Sequence, residues 1–113
     1  MARADRLERL EIRRADMEAE YTAALLAALR VTAAGKAGLF DHKPDRSTRA
    51  AIAPVIAELQ ELADAIDDAR ERLALPEFTL HREFLAARGK PSPQAVGEPK
   101  QAQAWLQRLE PGG

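Results

Sequence analysis

From Arg3 to Ala34 the chain holds neither proline nor glycine, and alanine, leucine, glutamate and arginine fill most positions, which predicts one long helix. Gly35 is its predicted stop. With Leu7 as the first position of a heptad, an apolar seam runs Leu7, Leu10, Arg14, Met17, Tyr21, Ala24, Ala28 and Val31, in alternating steps of three and four. A second set, Ile12, Ala19, Leu26, Leu29 and Ala33, falls on the opposite side of the same helix. One neighbouring helix covers one stripe. A helix apolar on two faces therefore calls for a second covering element, or for another copy of the chain.

The second long helix supplies a cleaner stripe: Ile52, Val55, Leu59, Leu62, Ile66, Ala69 and Leu73, widened by Ile56 and Ala63. Ser47 can cap a short turn beginning at Thr48, and the main helix is expected to start near Pro54, because proline suits a first turn and not an interior. Its outward positions hold Glu61, Asp64, Asp67, Asp68 and Glu71, with Glu58 flanking the seam. That acidic face is expected to be solvated. Leu75 and Pro76 end this helix. A shorter one should cross Phe78, Leu80, Phe84 and Leu85, opened by Thr79 or Pro76 and closed by Gly89. Residues 90–98 are rich in proline and glycine and read as a connector. A last helix starting at Pro99 places Ala102, Trp105, Leu106 and Leu109 on one side, with Trp105 as its expected anchor.

The expected fold is all-α: an antiparallel two-helix hairpin, coiled-coil-like, with two short C-terminal helices packed on it. Residues 1–89 form the hairpin and short third helix, 90–98 the connector, and 99–110 a C-terminal helix belonging to the same single domain. A chain of 113 residues suits one core. The first helix outruns the second, so its N-terminal end, with Leu7, Leu10 and Ile12 among alternating arginines and acids, lacks a partner. A homodimer would bury it, with Leu7, Leu10, Ile12, Arg14, Leu26 and Leu29 as candidate self-association residues. Arg14 is expected to lie along the seam and reach water, with Glu18 as an alternative partner.

Composition narrows the function classes. The formal net charge is −1, from 17 basic and 18 acidic residues, so no field of one sign draws the chain to nucleic acid or to an anionic membrane. The start of the chain has no apolar signal segment, and the apolar run from Ala23 to Ala34 is too short to span a bilayer, so no membrane association is expected and cytoplasmic residence is the expectation. Zero cysteines exclude disulfides and thiolate chemistry. The segment from Gly35 to Arg49 is long for a link between helices and gathers Lys36, His42, Lys43, Arg46 and Arg49, a candidate anion or partner site near a helix start. The competing and preferred reading is that Leu39 and Phe40 plug the end of the bundle while the charges are solvated.

No catalytic residues, metal site or cofactor site are expected. Gly35-Lys36 is no phosphate loop, because Ala37 stands where Ser or Thr is needed. His81 and Glu83 form a His-x-Glu triplet without the cysteine pair that zinc deaminases require. His42 beside Asp41 has no nucleophile placed next to it. The expected function is that of a non-enzymatic helical interaction or assembly protein that self-associates, with an unidentified protein partner also compatible. The alternative is a small regulator binding nucleic acid, which is not favoured, or another phosphate-bearing ligand through the basic loop 36–49.

Three stretches, Ala34 to His42, Phe78 to Gly89 and Gly97 to Leu106, together about a quarter of the chain, are similar to those of a family of small bacterial helical proteins with no known function. The resemblance implies no activity and carries over no site residue.

Overall fold

In the computed structural model the described residues are 2–35, 39–40, 46–88 and 98–110, and they form four helices: α1 (Ala2–Ala33), α2 (Arg46–Arg72), α3 (Thr79–Ala87) and α4 (Glu98–Leu109). Among the described residues there is no strand. α1 packs on α2 and on α4, and α3 packs on α2. One core collects Tyr21, Leu25, Ala28 and Leu29 from α1, Leu39 and Phe40 from the link, Ile52, Leu59, Ala63 and Ile66 from α2, Phe78 and Phe84 at α3, and Ala102 from α4. The α1 and α2 helices span roughly 48 and 40 Å at 1.5 Å per residue, against a longest molecular dimension of 53 Å.

The buried line of α1 differs from the heptad expectation. It runs Leu10, Arg14, Met17, Tyr21, Leu25, Ala28 and Thr32, in steps of four, three, four, four, three and four. That is the period of an ordinary straight helix, which drifts against a strict seven-residue repeat. By the fourth turn the core has moved from Ala24 to Leu25 and from Val31, 45% exposed, to Thr32, fully buried. Thr32 donates to the Ala28 carbonyl (2.9 Å), so its hydroxyl enters the core satisfied. On the other side α4 packs against α1, where Leu29 is fully buried and Leu26 and Ala33 half-buried. α4 does this with Ala102 fully buried, while Trp105, Leu106 and Leu109 are half-buried. Trp105 thus shares the anchoring with Ala102.

Both long helices end in a left-handed residue. Gly35 (φ +79°) closes α1, its amide donating to the Thr32 carbonyl at 2.9 Å. At α2 the left-handed residue is Ala74 (φ +56°): the Leu75 amide returns to Arg70 (2.8 Å) and the Ala74 amide to Glu71 (3.1 Å), the paired bonds of a Schellman stop. Pro76 then prevents any resumption.

Four local expectations need correction. α2 is continuous from Arg46, so Ser47 lies inside it rather than capping it, and Pro54 is interior. Pro54 is exposed, so the backbone carbonyl deprived of its donor faces the wet side of the helix. α3 is opened by neither Thr79 nor Pro76. The cap residue is Phe78, without a side-chain bond of its own, and Asp67 of α2 accepts from its amide at 2.7 Å. Asp67 is consequently half-buried and does not belong to the solvated face that Glu58, Glu61, Asp64, Asp68 and Glu71 form. Leu85 is exposed, leaving Phe84 and His81 as the buried residues of α3. The closing Gly89, and the connector as far as Gly97, lie outside the described residues.

The shifted line of α1 separates two substitutions. Leu25→Ala should lower unfolding stability by about 2 to 5 kcal/mol, while Val31→Ala should stay within about 0.5 kcal/mol, both read by denaturant titration. Ala74→Gly should stabilise by about 1 kcal/mol, since glycine adopts the left-handed stop without the strain that alanine bears there.

Candidate functional site

The sequence-nominated residues separate by position along α1. Residues 4–9 are all exposed, and with them Ile12. Leu7 is 47% and Ile12 56% exposed, while Leu10 is half-buried. Leu10, Arg13 and Met17 line one wall of a groove of about 230 Å³, whose other wall is Ala65, Asp68, Ala69 and Arg72 of α2. Residues 10–17 of α1 thus share this groove with residues 65–72 of α2. Leu29, fully buried in its own chain, and Leu26, half-buried, are separated from Leu7 and Ile12 by the length of this contact.

Arg14 is not the snorkelling side chain expected. It donates to Glu18 (2.6 Å) and to Glu11, and it is 17% exposed. Glu18 is the hub: Arg70 of α2 meets its two carboxylate oxygens through Nε and Nη2, each at 3.0 Å. This two-pronged geometry matches a guanidinium to a carboxylate. Arg70 also donates through Nη1 to the Pro76 carbonyl (2.8 Å) and lies over the Phe78 ring, 5.8 Å from its centroid. One ion cluster thus ties α1, the end of α2 and the entry to α3. Burial pushes the Glu18 carboxyl up, but the hydrogen bonds from Arg70 and Arg14 outweigh it and hold the group below the usual carboxylate range. The Arg14 Nε–H is left without a partner among the described residues, the cost of placing an arginine in a seam.

One turn deeper, a polar chain runs from the core to the surface of α2. Tyr21 of α1 and His81 of α3 are both buried, with the phenol oxygen 2.7 Å from Nδ1. His81 Nε2 is 3.1 Å from Oε1 of Gln60 on α2, whose amide nitrogen donates to Asp64 at 2.9 Å. The Asp64 bond fixes the Gln60 amide with its oxygen toward the ring. His81 then donates from Nε2 and accepts at Nδ1 from the Tyr21 hydroxyl. Burial lowers the His81 pKa against the pull of Asp64 and Asp67, so the ring is neutral near neutral pH, and burial pushes the Tyr21 phenol up. Both groups stay uncharged there, which suits a hydrogen-bonded core better than acid–base work.

Leu39 and Phe40 are fully buried, and Phe40 packs against Phe84 and Trp105 with ring centroids 6.0 and 5.9 Å away. They plug the bundle, as the preferred reading of this link expected. Of the candidate anion site, Lys36, His42 and Lys43 lie outside the described residues; Arg46 and Arg49 belong to the first turn of α2. Among the described residues no group of histidine and acids is arranged to hold a metal ion, and no helix is long and apolar enough to cross a membrane.

Sequence reading offered Glu18 as an alternative partner of Arg14 but missed its pairing with Arg70, and it missed the roles of Gln60, Asp67 and His81. Each faces a partner on another helix, and only the polarity of Arg14 and Tyr21 in an apolar seam hinted at them. No family of known proteins matches the chain, nor does any curated protein or solved structure.

The ion cluster carries a prediction with a defined pH sign. The Glu18 pKa is lowered in the folded chain, so its contribution is complete above about pH 4.3, the free glutamate value, and is lost as pH falls through the lowered folded value. Glu18→Gln should cost about 1 to 2 kcal/mol at pH 7 and remove that part of the acid dependence, as measured by denaturant unfolding across pH.

Proposed function

We propose that the protein is a non-enzymatic helical assembly protein that self-associates as a homodimer through the exposed N-terminal end of α1. The observation carrying this reading is the bare end itself: Leu7 stands in a run, residues 4–9, that is exposed throughout, ahead of the groove shared with α2, and Ile12 stands exposed on the side of α1 away from that groove. About six residues of free helix have no tertiary packing to hold them, and an isolated segment of that length is marginal in water. A second copy supplies the missing surface. Between Ala4 and Asp16 the segment carries four basic and four acidic residues, so two copies meet without net repulsion, and oppositely charged rows are available on both.

The hairpin in this proposal is antiparallel. Supporting that arrangement, residues 10–18 of α1 face residues 65–72 of α2 through the groove and the Glu18 to Arg70 pair. The dimer contact centres on Leu7 and the exposed edge of Leu10, Ile12 lying on the opposite side of α1, since Leu29 is occupied inside its own chain and Arg14 is engaged by Glu11 and Glu18.

Light scattering behind a sizing column, over a wide concentration range, tests this. The unaltered chain should run as a dimer. Leu7→Lys should weaken association by at least about tenfold, or about 1.4 kcal/mol, with circular dichroism of the hairpin unchanged because the side chain is exposed. A monomer at every concentration would overturn the proposal.

A further inference from the structure

α3 is short, and only two of its nine residues are buried, His81 and Phe84. Beside them only Leu80 and Ala87 of α3 are half-buried against the core, so an imidazole is a main part of its attachment. Among the described residues the ring meets Tyr21 on α1 at Nδ1, Gln60 on α2 at Nε2, and the Tyr21 and Phe84 rings at centroid distances of 5.5 and 6.3 Å. The charged groups acting on it are the Asp64 and Asp67 carboxylates of α2. Asp64 already accepts from Gln60, and Asp67 from the Phe78 amide, so neither is committed to the ring itself.

We propose that α3 is an acid-released latch, held in place by neutral His81 between Tyr21 and Gln60 and let go when the ring takes up a proton at Nδ1. The geometry supplies the reason. A proton on Nδ1 converts the acceptor of the Tyr21 hydroxyl into a second donor. The phenol oxygen can receive it only by turning its own O–H away from Nδ1, and that O–H then gives up the bond it makes in the docked state, inside the core. The buried charge adds its own desolvation cost. With α3 released, the ring is hydrated and protonates normally.

The direction of the switch follows. The histidine pKa is lowered in the docked state, so the released state binds more protons as pH falls below about 6.5, the free histidine value. Docking is complete above that value and weakens below it, by at most about tenfold per pH unit for one proton. Glu18, with a lowered carboxyl pKa, answers only at more acid pH. The two responses are separable.

The single tryptophan provides the readout. Trp105 lies edge-on to Phe84, 6.2 Å between centroids, so release of α3 strips one side of its environment. The experiment is acrylamide quenching of Trp105 emission between about pH 8 and pH 5, a range that spans the free histidine value. Three full-length chains are compared: unaltered, His81→Gln, whose amide oxygen can accept from Tyr21 but does not titrate, and His42→Gln. Quenching should rise below about pH 6.5 in the unaltered chain and in His42→Gln, and stay flat in His81→Gln. A flat unaltered chain, or a rise that persists in His81→Gln, overturns the proposal. Should His81→Gln fail to fold at neutral pH, proton NMR of the unaltered chain decides. One imidazole titrating below the free value in step with Trp105 is the expected result, and both titrating at the free value overturns it.

Discussion

A helix with apolar residues on two opposite sides is buried only where neighbours approach it from both, and α1 meets that condition over its C-terminal half alone. There α2 and α4 close on Tyr21, Leu25, Ala28 and Leu29, and Phe40 with Leu39 fills the end. Each fully buried large side chain adds roughly 1.5 to 3 kcal/mol. In a domain of this size, that concentration at one end of the rod leaves the other end with little to hold it. The gradient along α1, from fully buried Leu29 to exposed Leu7, is the central physical fact of the molecule. Fold and proposed function are both consequences of it.

Polar groups decide where α3 sits. Apolar contact alone would let a nine-residue helix slide, since burial has no direction. The Asp67 carboxylate at the Phe78 amide, the Arg70 guanidinium at the Pro76 carbonyl, and Tyr21 and Gln60 at the two nitrogens of His81 each fix one point. The net gain from each bond is about 1 kcal/mol, but a displaced helix leaves the buried Tyr21 and His81 unpaired at a larger cost apiece. The network works by penalising alternatives. It also makes the attachment conditional on protonation, because an imidazole is the one side chain in it whose ordinary titration falls near neutral pH.

The helices and the plugging role of Leu39 and Phe40 were legible because they depend on local periodicity and on helix breakers. Gly35 stops α1 as read. The heptad frame failed at Ala24 and Val31 for a simple reason: over four turns a half-residue error in phase moves the core by one position, to Leu25 and Thr32. Pro54 was read as a boundary because a local rule cannot see that its turn is exposed. The links of Glu18 to Arg70 and of Tyr21 to His81 span 52 and 60 residues, and nothing in periodicity couples such positions. Asp67 looked like one more acid on a wet face. Its role exists only because the turn after α2 brings the Phe78 amide back over it.

That turn also explains why the end of α1 is bare. Leu10 shares the groove with Ala69 and Arg72 near the end of α2, so in the antiparallel hairpin proposed above Leu7, one turn nearer the start of α1, would need α2 to continue for another turn through residues 73–76. The chain does not continue. Ala74 takes the left-handed conformation, Pro76 forbids further helix, and the segment is pulled back by Arg70 and Asp67 to deliver Phe78, His81 and Phe84 to the core. Covering Leu7 from within the chain and docking α3 are therefore exclusive uses of the same residues. The fold takes the second, which buries two aromatic rings and an imidazole in place of one leucine, and the uncovered leucine is what a second copy would find.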